Sequence, residues 1–161
     1  MVLKRYLTPS DLLAAETWKL LDWFRTIGAD EFTIDCLGPG GSARPPVWQA
    51  FEAATRDFSR GKQTRERMSG PTADDLTRTT DLWALNEVTV DVLKCVLPGG
   101  LFDYDPREHG WFEDPVFYRD GILTLGVLSH EAFAVLRITD KELAQLSLAG
   151  VRTHESLPRA G

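Results

Sequence analysis

Apolar positions recur along the chain with two periods, one helical and one extended. Leu13, Leu20, Phe24 and Ile27 share a helical face with Leu21 beside them. Thr8-Pro9-Ser10-Asp11 supplies capping oxygens and a first-turn proline, and Gly28 stops the run, which predicts a helix over 9–27. Residues 31–37 (EFTIDCL) alternate polar and apolar side chains, as a half-buried strand does. GPGGSARPP (38–46) is a loop, and Pro46 opens a second helix with Val47, Phe51, Ala54 and Phe58 on its buried stripe, ending at Gly61. Residues 61–71 read as a polar, basic, mobile stretch. Thr72-Ala73-Asp74-Asp75 is a further cap. Leu82, Leu85, Val88, Val92 and Val96 fit a helix, while Val88, Val90 and Val92 also alternate; length favours a helix over 76–97, ended by Pro98-Gly99-Gly100.

The last third carries the clearest turn chemistry. Asp120-Gly121 predicts a two-residue hairpin, and a Ser129-His130-Glu131 turn joins the next two strands, giving a meander over 115–119, 122–128 and 132–138. Thr139-Asp140-Lys141-Glu142 is a capping box that starts a final helix ending near Gly150, with a frayed tail after about residue 152. The hairpin register places Val116, Leu125 and Val135 in a row beside Val127 and Phe133. Phe117, Thr124 and Leu136 then face the other way, with Ile122 and Ile138. Both faces are apolar, so helices, a partner or a second copy of the chain must cover them. Gly126 falls opposite Ala134 and leaves a shallow spot for a close approach. The expected fold is a single α+β domain over 1–161: a small antiparallel sheet, made of the three-stranded meander and the strand near 31–37, packed with about four helices.

Composition adds limits. With 161 residues and 43% hydrophobic content, the chain builds a core without metal or disulfide staples. Cys36 and Cys95 match no ligand spacing and read as buried free thiols, suited to a reducing compartment. No apolar run suits a signal peptide or a membrane span, so the expectation is a cytoplasmic protein without membrane contact. A net charge of −6 argues against nucleic-acid binding. Residues 56–67 hold five bases and two acids, whereas 68–114 hold ten acids and three bases.

Several segments invite chemistry. The Gly-rich loop with Arg44 lacks both the phosphate-loop and the dinucleotide glycine pattern, and an ordinary connection is the simpler reading. Asp103, Asp105 and His109 offer metal-compatible donors for a metal-dependent hydrolase. The segment nevertheless lacks the glycine of a calcium loop and a second zinc histidine, so a solvated acidic loop fits better. Ser129, His130 and Glu131 are adjacent, which disfavours a serial triad, and a polar hairpin tip is the simpler reading; His154 adds little. Arg60, Lys62, Arg65 and Arg67 have no interleaved aromatics for base stacking.

Aromatic density is the strongest feature. Phe102, Tyr104, Trp111, Phe112, Phe117 and Tyr118 place six of sixteen aromatics within seventeen residues that also hold five acids. Amphipathic rings among acids are typical recognition anchors for a cationic partner; the alternative is a loop that folds over the core and buries Trp111. The expected function is therefore a non-catalytic protein-binding domain, immunity- or antitoxin-like, that engages a basic protein through Tyr104, Asp105, Glu108, Trp111 and Glu113 and uses no cofactor. A structural homo-oligomer that buries the second sheet face is the remaining alternative.

Overall fold

A computed structural model of the chain describes residues 2–36, 45–68, 76–103 and 112–155. The α+β class holds, but among the described residues the sheet has eight strands where four were expected. They are β1 (Lys4–Leu7), β2 (Glu31–Cys36), β3 (Ser59–Arg67), β4 (Leu76–Ala84), β5 (Phe112–Arg119), β6 (Ile122–Leu128), β7 (Phe133–Ile138) and the short β8 (His154–Glu155). Their order is β3-β4-β2-β5-β6-β7-β1-β8, with every neighbouring pair antiparallel. The described helices are α1 (Ala14–Thr26), α2 (Pro46–Thr55), α3 (Glu87–Val96) and α4 (Asp140–Leu148).

α2 opens at Pro46 as expected but ends at Thr55 rather than at Gly61, and it buries Trp48, Phe51 and Thr55 rather than the stripe of Val47, Phe51, Ala54 and Phe58, because a single 3-10 turn at Arg56–Phe58 leads straight into β3. Three further boundaries differ for identifiable reasons. α1 starts at Ala14 rather than near residue 9, because Pro9 closes a turn onto Leu12 and Glu16 accepts the Leu13 N–H at 2.9 Å. Residues 59–67 form a strand, not a mobile loop. Cross-strand pairing with β4 organises them, including a Thr64–Thr79 hydroxyl contact of 3.1 Å, although most side chains stay exposed. Residues 76–97 are not one helix. Leu76–Ala84 is β4, and α3 begins only where the Asn86 side chain accepts the Thr89 N–H at 3.0 Å and Thr89 returns the bond at 2.9 Å. The capping box at Thr139 forms as read: Thr139 Oγ1 accepts from the Glu142 N–H and Glu142 accepts from the Thr139 N–H. Past Arg152, residues 154–155 form β8 on β1, with His154 opposite Leu7, and residues 156–161 lie outside the described residues.

All four helices contribute to one core on a single face of the sheet. Leu20 and Phe24 of α1, Phe51 of α2, Leu93 of α3 and Leu146 of α4 meet Phe32, Phe117, Leu125 and Leu136. Phe24 stacks on Phe117 with centroids 5.2 Å apart, and Phe51 meets Phe112 at 5.3 Å. The opposite face is also buried, by the sheet itself. The end of β3 comes over β6, so that Met68 packs with Leu128 and Val135, beside a second cluster of Leu82, Val116, Tyr118 and Leu123. Tyr118 donates to the Glu66 carbonyl at 2.9 Å, and Arg137 pairs with the Glu66 carboxylate at 2.9 Å. The chain thus covers with its own β3 end much of the face for which helices, a partner or a second copy were the expected covers.

The meander register differs from the simple hairpin reading by one residue. Phe117 pairs with Leu125 but Tyr118 pairs with Leu123, so Thr124 is extra and every later β6 side chain changes face. The rows are therefore Val116–Gly126–Val135 and Phe117–Leu125–Leu136, and Gly126 does not face Ala134. The close approach expected at Gly126 is made by Met68: a Cβ added to Gly126 would lie 3.0 Å from Met68 Cβ.

Gly126→Ala should destabilise the protein by about 1–3 kcal/mol in urea unfolding, with part of the loss relieved in a Met68→Ala background. A second expectation concerns acid. Arg152 donates to Glu16 at 2.8 and 2.9 Å and, with backbone N–H groups, lowers its carboxyl from 4.5 to about 2. This clamp stabilises fully above pH 4.5 and is lost as pH falls from there toward about 2. Arg152→Gln should lower the unfolding midpoint near pH 6 and weaken the further fall seen at about pH 3. A parallel acid limb in the variant would disprove the assignment.

Candidate functional site

Strands β2 and β4 pair at Glu31↔Ala84 and Phe32↔Trp83 and then separate. Side chains bridge the gap where the ladder stops. Thr33 and Thr80 share a buried hydroxyl contact of 2.7 Å, and Asp35 holds Arg67 of β3 at 2.8 Å and Arg78 of β4 at 3.2 Å. The split opens as a cleft of about 410 Å³. Ile34, Cys36, Trp48 and Trp83 supply its apolar wall; Lys62, Arg78, Asp81, Glu113 and Asp114 supply charge, with Asp35.

A bulge shapes the inner end. Thr33 pairs with Val116 and Asp35 with Glu113, so β5 carries one more residue than β2 across the same span. Asp114 takes up the excess in the left-handed region, at φ 49°. It is fastened there by Ser129: the Asp114 N–H donates to Ser129 Oγ at 2.9 Å, and the Ser129 N–H donates to Asp114 Oδ1 at 2.7 Å. The turn between β6 and β7 is thereby tied to the bulge, which brings His130 alongside. Donor atoms of Glu113, Asp114 and His130 all lie within 4.8 Å of one another, a spacing that one ion can span.

Glu113 is 8% exposed, yet among the described residues its carboxylate has neither a hydrogen bond nor an ion pair. Burial pushes its carboxyl above the ordinary value, and the Asp114 and Asp35 charges push the same way against His130 and Arg67. Burial also raises Asp114, opposed first by the Ser129 N–H. Arg67, 6% exposed, uses Nη2 on Asp35 and on the Asp114 carbonyl, while its buried Nη1 meets no acceptor.

Of the five expected anchors, Glu113 lies in this cleft; Tyr104, Asp105, Glu108 and Trp111 fall outside the described residues, as do His109 and Arg44. Asp103 accepts the Gly99 N–H at 2.6 Å. Phe112, Phe117 and Tyr118 are core, at 1% exposure or less, which accounts for half of the aromatic cluster. Ser129 is buried, and His130 Nε2 sits 3.7 Å from Glu131. The basic segment is largely spent on internal pairs, Arg60 and Arg65 with Glu31 and Arg67 with Asp35. Neither cysteine is a core thiol: Cys36 is half-buried in the cleft wall and Cys95 is exposed. Asp35, Asp114 and Trp48 escaped notice because strand pairing, not spacing, assembles them. The one local signal was a pair of acids, Glu113-Asp114, inside an otherwise apolar strand.

Comparison with protein-family models, curated proteins and solved structures finds no match to this chain. Function therefore has to be read from the cleft itself.

Removing Asp35 strands a buried guanidinium, whereas removing the exposed Arg78 does not. Asp35→Ala should cost about 3 kcal/mol in urea unfolding. Arg78→Ala should cost under about 1 kcal/mol. Equal losses would mean that Arg67 does not depend on Asp35.

Proposed function

We propose that this chain is a non-catalytic binding domain that recognises a basic protein partner, in the manner of an immunity- or antitoxin-like accessory protein. The observation that carries the reading is Glu113, a carboxylate held in an open cleft with no hydrogen bond or ion pair among the described residues. A lysine or arginine side chain from a partner would supply that counter-ion, and the pair would form in a partly desolvated site, where it is strongest. Trp48 and Trp83, packed into the core, present only their edges at the wall and give the aliphatic stem a rigid apolar boundary. Lys62 and Arg78 at the same cleft disfavour a second cation nearby, which favours one defined basic residue over a polybasic stretch. Tyr104, Asp105, Glu108 and Trp111 belong to the proposed surface by their chemistry and their place in the chain, just before β5.

The reading is tested by capture from host lysate with wild type, Glu113→Gln and the Tyr104→Ala, Trp111→Ala pair as baits. A basic protein should be held by wild type, bind at least about tenfold more weakly to each folded variant, and release with added salt. A partner retained unchanged by both variants places recognition elsewhere on the molecule.

A further inference from the structure

Among the described residues the buried Glu113 carboxylate makes no hydrogen bond or ion pair, with only the longer-range charges of His130 and Arg67 in its favour. An apolar side chain or glutamine would fill the space without the cost of desolvating a charge. Asp114 is held with Oδ1 on the Ser129 N–H, which leaves Oδ2 available and orients the group, as a well-positioned metal ligand is oriented by its own hydrogen bonds. His130 stands on the turn that this same bond ties to the bulge. Three donors from β5 and the β6–β7 turn therefore converge within 4.8 Å, at a cleft open to solvent.

We infer that the inner end of the cleft is a divalent-metal site, with Glu113, Asp114 and His130 as its ligands. Two carboxylates and one imidazole suit a borderline ion such as Zn²⁺ or Mn²⁺. Calcium, which takes six to eight oxygens, is a poor fit. Three protein ligands leave coordination positions open toward the cleft. Asp35 offsets part of the nearby Arg67 charge at 2.8 Å while also pairing with Arg78, and Glu113 and Asp114 add two further carboxylates at this end of the cleft. The inference deepens the recognition reading by naming what fills Glu113 in the partner's absence, so that ion and basic partner compete for one carboxylate. Its test needs no partner, and either idea can fail alone.

Protein stripped with chelator and dialysed is titrated with Zn²⁺, Mn²⁺ and Mg²⁺ by calorimetry, with thermal melting alongside. Wild type should bind one Zn²⁺ or Mn²⁺ per chain and melt higher with it. Glu113→Gln and His130→Ala should each bind at least about tenfold more weakly, while Asp81→Asn, from the same cleft, keeps wild-type affinity. Wild type that binds neither ion overturns the site, and so does undiminished binding by Glu113→Gln and His130→Ala. Because His130 is half-exposed, its alanine variant decides the matter even if Glu113→Gln fails to fold.

Discussion

Strands β5, β6 and β7 carry large apolar side chains on both faces, and a sheet of that composition is stable only when both faces leave water. Helices satisfy one face. The other is closed by the sheet itself, whose β3 end crosses to β6 and sets Met68 over Gly126 while Tyr118 holds the Glu66 carbonyl. The rest of the architecture fits around this closure. β4 is pinned to β3 along its whole length, but it stays paired with β2 only at the end next to α3, and the two then diverge. The cleft is the divergence. A sheet with one apolar face could remain flat and fully laddered; this one trades part of a ladder for a second buried face.

Charge placement follows the same geometry. Arg60, Arg65 and Arg67 of β3 meet Asp30, Glu31 and Asp35 at the β2 side of the gap, so the most basic segment of the chain is neutralised internally. The Arg67–Asp35 pair acts where the β2–β4 ladder has ceased, and the buried Thr33–Thr80 contact does the same without charge, whereas Arg60 and Arg65 meet Asp30 and Glu31 at its still-paired end. The net charge of −6 is then expressed elsewhere, and Glu113 and Asp81 face the cleft without ion pairs among the described residues.

Elements with strong local chemistry were legible in sequence. The Asp120-Gly121 hairpin, the Thr139 capping box, the strand near 31–37 and the Pro46 start of α2 form where propensity, turn residues and burial agree, though the end and buried face of α2 do not match the sequence stripe. β3 and β4 were illegible for a physical reason. SRGKQTRER has no apolar alternation because both of its faces are wet over most of its length, and only pairing with β4 makes it a strand. Its buried end, Arg67 and Met68, matters most and looks least like a core segment. The Thr124 bulge was equally hidden: a one-residue slip leaves composition unchanged and inverts the facing of the rest of β6. In the cleft, Glu113 was legible as an acid among aromatics. Its neighbours Asp35 and His130 lie 78 and 17 positions away and meet it only through strand pairing and the turn.

The bulge at Asp114 joins fold and site. A non-glycine residue at φ 49° is uncommon, though aspartate tolerates it better than most, and it persists only where surrounding contacts over-determine it. Ser129 does that here with two hydrogen bonds. Without the extra residue, strand alternation would send adjacent side chains to opposite faces, and Glu113 and Asp114 could not converge. The fold thus sustains two local costs at one point, a left-handed aspartate and a desolvated, unpaired glutamate. Hydrophobic packing alone demands neither. The two costs share one cause, the bulge: Ser129 offsets the first with its two hydrogen bonds, and a positive charge at the open end of the cleft would offset the second.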